Sequence, residues 1–208
     1  RHTVNHAEVR QSMADEDRAW LDLLQELSPE QREQVRAYAE YLLAGPPQAS
    51  AEGETDGPGA DAKVTLREIT AETVYQICNL SDTLTPPKKH MVAPNAVSIA
   101  QAHFEPHAWF RAIYADETPV GFLMLYDSPE EKEYFLWRLM VAGTHHGQGF
   151  GRRAMELLMD YVRSRPGATV LETSCGQGNG SPEGFYRAIG FRRSGKMFDD
   201  EVGMVLEL

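Results

Sequence analysis

Three glycines at alternate positions, Gly147, Gly149 and Gly151, lie between an apolar run ending at Val141 and a helical pattern beginning near Gly149. In such a loop no Cβ stands in the way, so successive backbone N–H groups can converge on an anion. The positive end of the following helix adds to the attraction. The stretch Arg138-Leu-Met-Val-Ala-Gly-Thr-His-His-Gly-Gln-Gly-Phe-Gly-Arg-Arg-Ala154 therefore reads as a cradle for a pyrophosphate. It is not a Walker loop, since no Gly-Lys-Ser/Thr follows. Nor is it a dinucleotide fingerprint, which needs Gly-x-Gly-x-x-Gly and an acidic residue ending the next strand. Taken alone, the glycines leave a plain strand-to-helix turn as the alternative.

The elements that would hold this loop alternate from Lys63 onward. Val64–Ile69 reads as a strand, Thr70 opens a helix running to about Leu80, and Asn95 caps a second helix through Phe104. Trp109–Tyr114 and Val120–Tyr126 flank Ala115-Asp116-Glu117-Thr118 as a hairpin. Glu133–Val141 is a long strand, and strict alternation would put Glu133, Phe135, Trp137, Leu139 and Val141 on one face. A helix from Gly149 to Arg163, a strand Thr169–Thr173 and a short helix Pro182–Ile189 follow. Strands at Phe191–Ser194 and Val202–Leu206 close the chain, with Asp199–Glu201 as the turn between them. Hairpins mixed with strand–helix–strand units predict an α/β class with a mixed sheet.

Ahead of this part, residues 1–44 show two amphipathic helices. One carries Trp20, Leu21, Leu24 and Leu27; the other opens at Ser28-Pro29 and carries Val35, Tyr38, Ala39 and Leu42. Residues 1–12 lack periodicity and read as a leader before Met13. Residues 45–62 hold Gly, Pro, Ala and acids without a large apolar side chain, and read as a flexible linker to a domain over 63–208. The net charge of −11 is uneven: residues 1–62 carry 5 Arg against 13 acids, and the remainder 15 basic against 18 acidic side chains. Neither part has the basic field of a nucleic-acid binder. No run of about 18 apolar residues suggests a membrane span. Cys78 and Cys175 support neither a disulfide scaffold nor a zinc site, and a cytoplasmic protein is expected. His145 and His146 are adjacent and diverge, without a third ligand, so no metal is expected.

Two features of residues 63–208 together resemble the GNAT N-acetyltransferases. His146-Gly-Gln-Gly149-Phe-Gly151 is similar to that family's Gln/Arg-x-x-Gly-x-Gly/Ala motif for acyl-CoA. Asn179, then Phe185-Tyr186-Arg-Ala-Ile-Gly190-Phe191, is similar to its Asn…Leu-Tyr-x-x-x-Gly-Phe. Val92-Ala-Pro-Asn95-Ala-Val-Ser98-Ile-Ala-Gln101-Ala and Trp137-Arg138-Leu-Met140 also resemble the polyamine (spermine/spermidine) acetyltransferase branch. The departure is His146, where the family has Gln or Arg. Backbone N–H groups carry most of such a grip, and an imidazolium at this position would raise CoA affinity at mildly acid pH.

The resemblance implies a GNAT fold, with a mixed central sheet flanked by helices and, in this chain, an N-terminal two-helix extension. It implies acetyl transfer from acetyl-CoA to a primary amine of a small polycation, either a polyamine or an aminoglycoside. The amine attacks directly in that family, so neither cysteine needs a nucleophilic role. Acetyl-CoA would lie on Leu139, Met140 and Val141, over His146, Gly147, Gln148, Gly149, Phe150, Gly151 and Arg152, and against Asn179 and Tyr186. The backbone N–H near Val141 would hold the carbonyl oxygen, and Tyr186 would protonate the departing thiolate. Otherwise Tyr186 is a core tyrosine. The base is Glu133 or Glu172, unless both are solvated strand carboxylates, while Asp127, Glu105 and Asp199–Glu201 could anchor distal ammonium groups. A homodimer is expected, formed through the N-terminal helices. Two other readings stay open: a CoA-binding sensor or interaction module, and a protein N-acetyltransferase with a peptide groove.

Overall fold

The computed structural model describes residues 57–208. The expected N-terminal helices, and the expected linker up to Asp56, lie outside the described residues. Seven strands form one sheet in the order β1-β2-β3-β4-β5-β7-β6. They are β1 Val64–Arg67, β2 Ala108–Ala115, β3 Thr118–Ser128, β4 Glu133–Val141, β5 Val170–Cys175, β6 Arg192–Phe198 and β7 Glu201–Glu207. The helices are α1 Val74–Asn79, α2 Asn95–Ala102, α3 Phe150–Arg163 and α4 Glu183–Ala188. All pairs are antiparallel except β4 with β5. This is the mixed sheet flanked by helices that the sequence implied. No described helix is long and apolar enough to cross a membrane.

Each face of the sheet buries its own apolar set. On one side Ile113, Leu123, Leu125, Leu136 and Leu171 pack with Phe150, Ala154, Met155, Leu158 and Val162 of α3. On the other, Ala112, Tyr114, Phe122 and Met124 pack with Ile77 of α1, Ile99 of α2 and Trp137. Ala62, assigned to the linker by composition, is buried in the first set and belongs to the folded domain.

Strict alternation along β4 does not hold. Leu136 pairs with Leu125 of β3 and Arg138 with Met124, so Trp137 has no opposite residue and forms a bulge. Past it the faces exchange. Glu133 shares a side with Phe135 and Trp137, while Leu139 packs on the α3 side. The helices also shift from their expected starts. Thr73 accepts the Thr70 N–H at 2.9 Å in a turn that delays α1 to Val74. Asn95 does not cap α2 but is its first helical residue. Its N–H donates to Ser81 Oγ at 2.8 Å and its Nδ2 to Ile77 O at 2.7 Å, which ties α2 to α1.

At the far end of β4, Gly121 faces Val141 so closely that an added Cβ would collide with the Met140 carbonyl oxygen. Gly121→Ala must therefore push β3 and β4 apart. The expected loss is about 1–3 kcal/mol. A thermal melt should show it as a fall of about 2–4 °C per kcal/mol; an unchanged midpoint would contradict the packing described.

Candidate active site

The site is built on the parting of β4 from β5. The two strands pair only at Phe135–Glu172 and Leu136–Thr173, after which β4 continues to Val141 paired with β3 only. The Ala142 N–H donates to Val120 O on β3 at 2.8 Å. Backbone direction alternates along a strand, so the N–H and C=O groups of Val141 and Leu139 turn toward the open edge.

A groove of about 510 Å³ fills that opening. Leu139, Met140 and Val141 form its floor, Gly147, Gly149, Gly151 and Arg152 its end at the start of α3, and Pro182, Phe185 and Tyr186 its wall from α4. His146 and Phe150 also line it. Gln148 and Asn179 do not: the Gln148 carbonyl accepts from Arg153 at 3.1 Å, and Asn179 lies exposed on the loop before α4. The loop depends on left-handed backbone at Gly147 (φ 78°) and Gly149 (φ 80°), the residue that precedes α3. Gly151 is different. A Cβ there would sit at ordinary contact, 3.4 Å from Val141 Cγ2, so nothing in the protein requires glycine at that position.

Sequence reasoning missed Lys88, on a 3-10 turn across the groove. Its Nζ lies 3.1 Å from His146 Nδ1, and His146 Nε2 lies 2.8 Å from Val141 O. An ammonium can only donate, so Nδ1 accepts and Nε2 carries the hydrogen given to Val141. The Gly143 N–H donates to Thr83 Oγ1 at 2.8 Å, tying the end of β4 to the segment before Lys88.

A second, polar cavity of about 280 Å³ meets the groove at Leu139, Pro182 and Tyr186. Tyr186 is 5% exposed and stands between the two. Burial pushes its hydroxyl well above the usual range, against a smaller opposing effect of a hydrogen bond with Thr173, so it stays protonated. Thr173 is itself held by Leu136 O at 2.9 Å, at the last β4–β5 pair. Cys175 also lines this cavity, but burial pushes its thiol up, which disfavours a thiolate nucleophile.

The carboxylates are not where the sequence suggested. Glu133 is exposed at the distant end of β4, Glu172 is paired with Lys196 Nζ at 2.8 Å, and neither lines the groove or the polar cavity. Distance explains Glu133: six residues at about 3.3 Å each put it on the order of 20 Å along β4 from Leu139. The carboxylate that does line the cavity is Glu201, the first residue of β7, hydrogen-bonded by Ser174 Oγ. Asp199 (φ 52°) and Asp200 make the turn before it. Asp127 accepts from Tyr161 at 2.6 Å and Arg165 at 3.0 Å, and Glu105 pairs with His107 at 3.1 Å; both are structural. Arg138 enters the cavity from β4, donating to Trp137 O at 2.8 Å and Gln101 Oε1 at 3.2 Å.

A family model described as "Acetyltransferase (GNAT) family" matches residues 74–191, more than half of the chain. An L-2,4-diaminobutyric acid acetyltransferase of Streptomyces avermitilis is 33% identical over 89 residues, 42% of this chain and 49% of that protein. The chain thus spans about half the length of this curated relative. The acceptor in that relative's name is L-2,4-diaminobutyric acid, not a polyamine. Among solved structures, an acetyltransferase from Thermus thermophilus superposes with TM-score 0.55 at 20% identity, covering 70% of this chain and 97% of that one. N-acetylglutamate synthase from Neisseria gonorrhoeae, complexed with coenzyme A and N-acetyl-glutamate, has TM-score 0.55 at 16% identity. That match covers 71% of this chain and 36% of that one. Both likenesses show the fold.

The helix that carries Tyr186 is clamped at its first turn. Glu183 Oε1 accepts from Arg187 and both Glu183 oxygens from Arg193 of β6, at 2.8–2.9 Å. These guanidinium bonds, Arg193 first, hold the Glu183 carboxyl at about 2. The unfolded value is about 4.3, so the clamp stabilises fully above that pH and is lost as pH falls toward 2. Glu183→Gln should remove this acid-sensitive part. Wild type and variant melting curves should converge between about pH 4 and 2; parallel curves would deny the clamp.

Proposed function

Because the chain belongs to the acetyltransferase (GNAT) family, we propose that it transfers the acetyl group of acetyl-CoA directly to a primary amine of a small molecule. The observation that carries this reading is the meeting of groove and polar cavity at Leu139 and Tyr186. One chamber suits an extended thioester and the other its acceptor. The groove's features fit coenzyme A: an unpaired strand edge for the amides of its arm, a glycine loop at a helix start for the pyrophosphate, and the cations Lys88 and Arg152 nearby.

Acetyl-CoA supplies the activated acyl group. The Val141 N–H, directed to the open edge, is the donor for the carbonyl oxygen. Tyr186 keeps its proton at Oη because burial disfavours the phenolate, and that proton goes to the departing thiolate. An amine must lose a proton to attack, and Glu201 replaces Glu133 and Glu172 as the carboxylate that takes it, directly or through water. Asn179 has no assigned contact in this scheme. Both described cysteines are free thiols, which suits the cytoplasm expected for this protein. Polyamines, aminoglycosides and diamino acids all offer the required amine. A sensor that only bound CoA would have no need of an acceptor cavity opening on a protonated tyrosine.

Thiol release from acetyl-CoA should be measured with spermidine, an aminoglycoside, L-2,4-diaminobutyrate and a lysine peptide. Release with a small amine and not the peptide is the expected result; acetyl-CoA binding without release from any would favour the sensor. Tyr186→Phe should lower kcat by roughly 10²-fold or more while leaving acetyl-CoA affinity within about twofold, since a lost general acid spares ground-state binding. Gly151→Ala should melt like wild type yet weaken acetyl-CoA binding by about tenfold, as read by calorimetry. Undiminished binding would mean that nothing approaches Gly151.

A further inference from the structure

The acceptor cavity is lined by a cation as well as by a carboxylate. Arg138 reaches it from β4, its guanidinium about half removed from water beside the Trp137 ring at 5.3 Å. Its hydrogen bonds go to neutral oxygens, Trp137 O and Gln101 Oε1, and its buried Nε has no acceptor. Among the described residues no carboxylate lies within ion-pair distance of it. Arg165, just past α3, is paired with Asp127 at 3.0 Å and Arg111 of β2 with Glu68 at 3.3 Å, whereas Arg153 of α3 also donates only to carbonyl oxygens, but away from the polar cavity. Burial pulls the Arg138 pKa down, and the charge of Glu201 on the same cavity offsets this only in part. A desolvated charge without a direct ion pair is costly, and structures normally pair one or hold a ligand against it.

On the same cavity Glu201 supplies the opposite sign. A chamber of about 280 Å³ with a guanidinium and a carboxylate is dipolar. A molecule carrying only ammonium groups would set one of them against Arg138. A molecule carrying one carboxylate and an amine would satisfy both ends, its carboxylate on the free guanidinium N–H groups and its amine between Glu201 and Tyr186.

We propose that the acceptor is an amino acid bearing a second, reactive amine, and that Arg138 selects it by holding its carboxylate. The inference rests on the acetyltransferase reading and names the substrate class for that site. No new chemical step is added: the amine is acetylated, the thiol leaves, and the carboxylate is unchanged.

The test compares substrates that differ only by that carboxylate. L-2,4-Diaminobutyrate, L-ornithine and L-lysine are assayed beside 1,3-diaminopropane, putrescine and cadaverine, with thiol release from acetyl-CoA as the readout. In at least one pair the amino acid should show a kcat/KM roughly 10²-fold or more above its diamine, chiefly through KM, because a missing carboxylate leaves the guanidinium unpaired. Arg138→Gln should shrink that ratio at least tenfold, and Arg138→Lys should retain part of it; thermal melts report whether each variant folds. The comparison on wild-type protein stands even if neither does. Diamines turned over at least as well as their amino acids in every pair would overturn the proposal and leave the acetyltransferase reading intact. A ratio unmoved in a folded Arg138→Gln protein would overturn the role of Arg138. No release with any of the six, nor with spermidine or an aminoglycoside, would overturn both readings.

Discussion

Everything at the site follows from two parallel strands that pair over two residues and then separate. A buried strand edge without a partner is a row of unsatisfied backbone groups, and proteins rarely leave one unless something else pairs with it. Here β4 runs on past Leu136 with β3 on one side only. One such carbonyl, that of Val141, is met by His146 Nε2. The rest of the edge is open, and the start of α3 and the body of α4 come in from either side of the gap. The same parting creates the groove and the polar cavity, and it leaves Tyr186 standing where they join.

The bulge at Trp137 gives the gap two differently lined sides. By inserting one unpaired residue it sends Trp137 to the face covered by α1 and α2, and returns Leu139 to the face covered by α3. Arg138 is left at the rim of the polar cavity, with β3 opposite it through Met124. A regular strand would have kept Glu133 in line with Leu139, though still at the far end of β4.

Charge serves two separate purposes in this domain. Asp127 with Tyr161 and Arg165 joins β3 to the end of α3, and burial with the Asp127 bond pushes the Tyr161 hydroxyl to about 12. Glu183 with Arg187 and Arg193 joins α4 to β6. Both are scaffolding, saturated by their partners. The charges facing the cavities, Lys88, Arg138, Arg152 and Glu201, have no such saturating ion pair among the described residues. Pairing, more than residue type, separates the groups that hold the fold from those able to meet a ligand.

By itself the sequence determined what depends on neighbours along the chain. The strand Glu133–Val141 has the predicted bounds, and α3 begins where the glycine loop ends. The hairpin turns lie at Asp116 and Asp199, whose positive φ suits short polar side chains. Motif residues at short fixed spacing, from Gly147 to Arg152 and at Tyr186, line the groove, apart from Gln148 and Asn179. Tertiary structure alone decided the rest. A bulge is set by register against β3, which no pattern within β4 records. Lys88 approaches His146 across 58 positions, and Glu201 reaches Ser174 across 27. Whether a given carboxylate or guanidinium is paired depends on such long-range juxtapositions, and so on how the sheet is ordered and where two of its strands part.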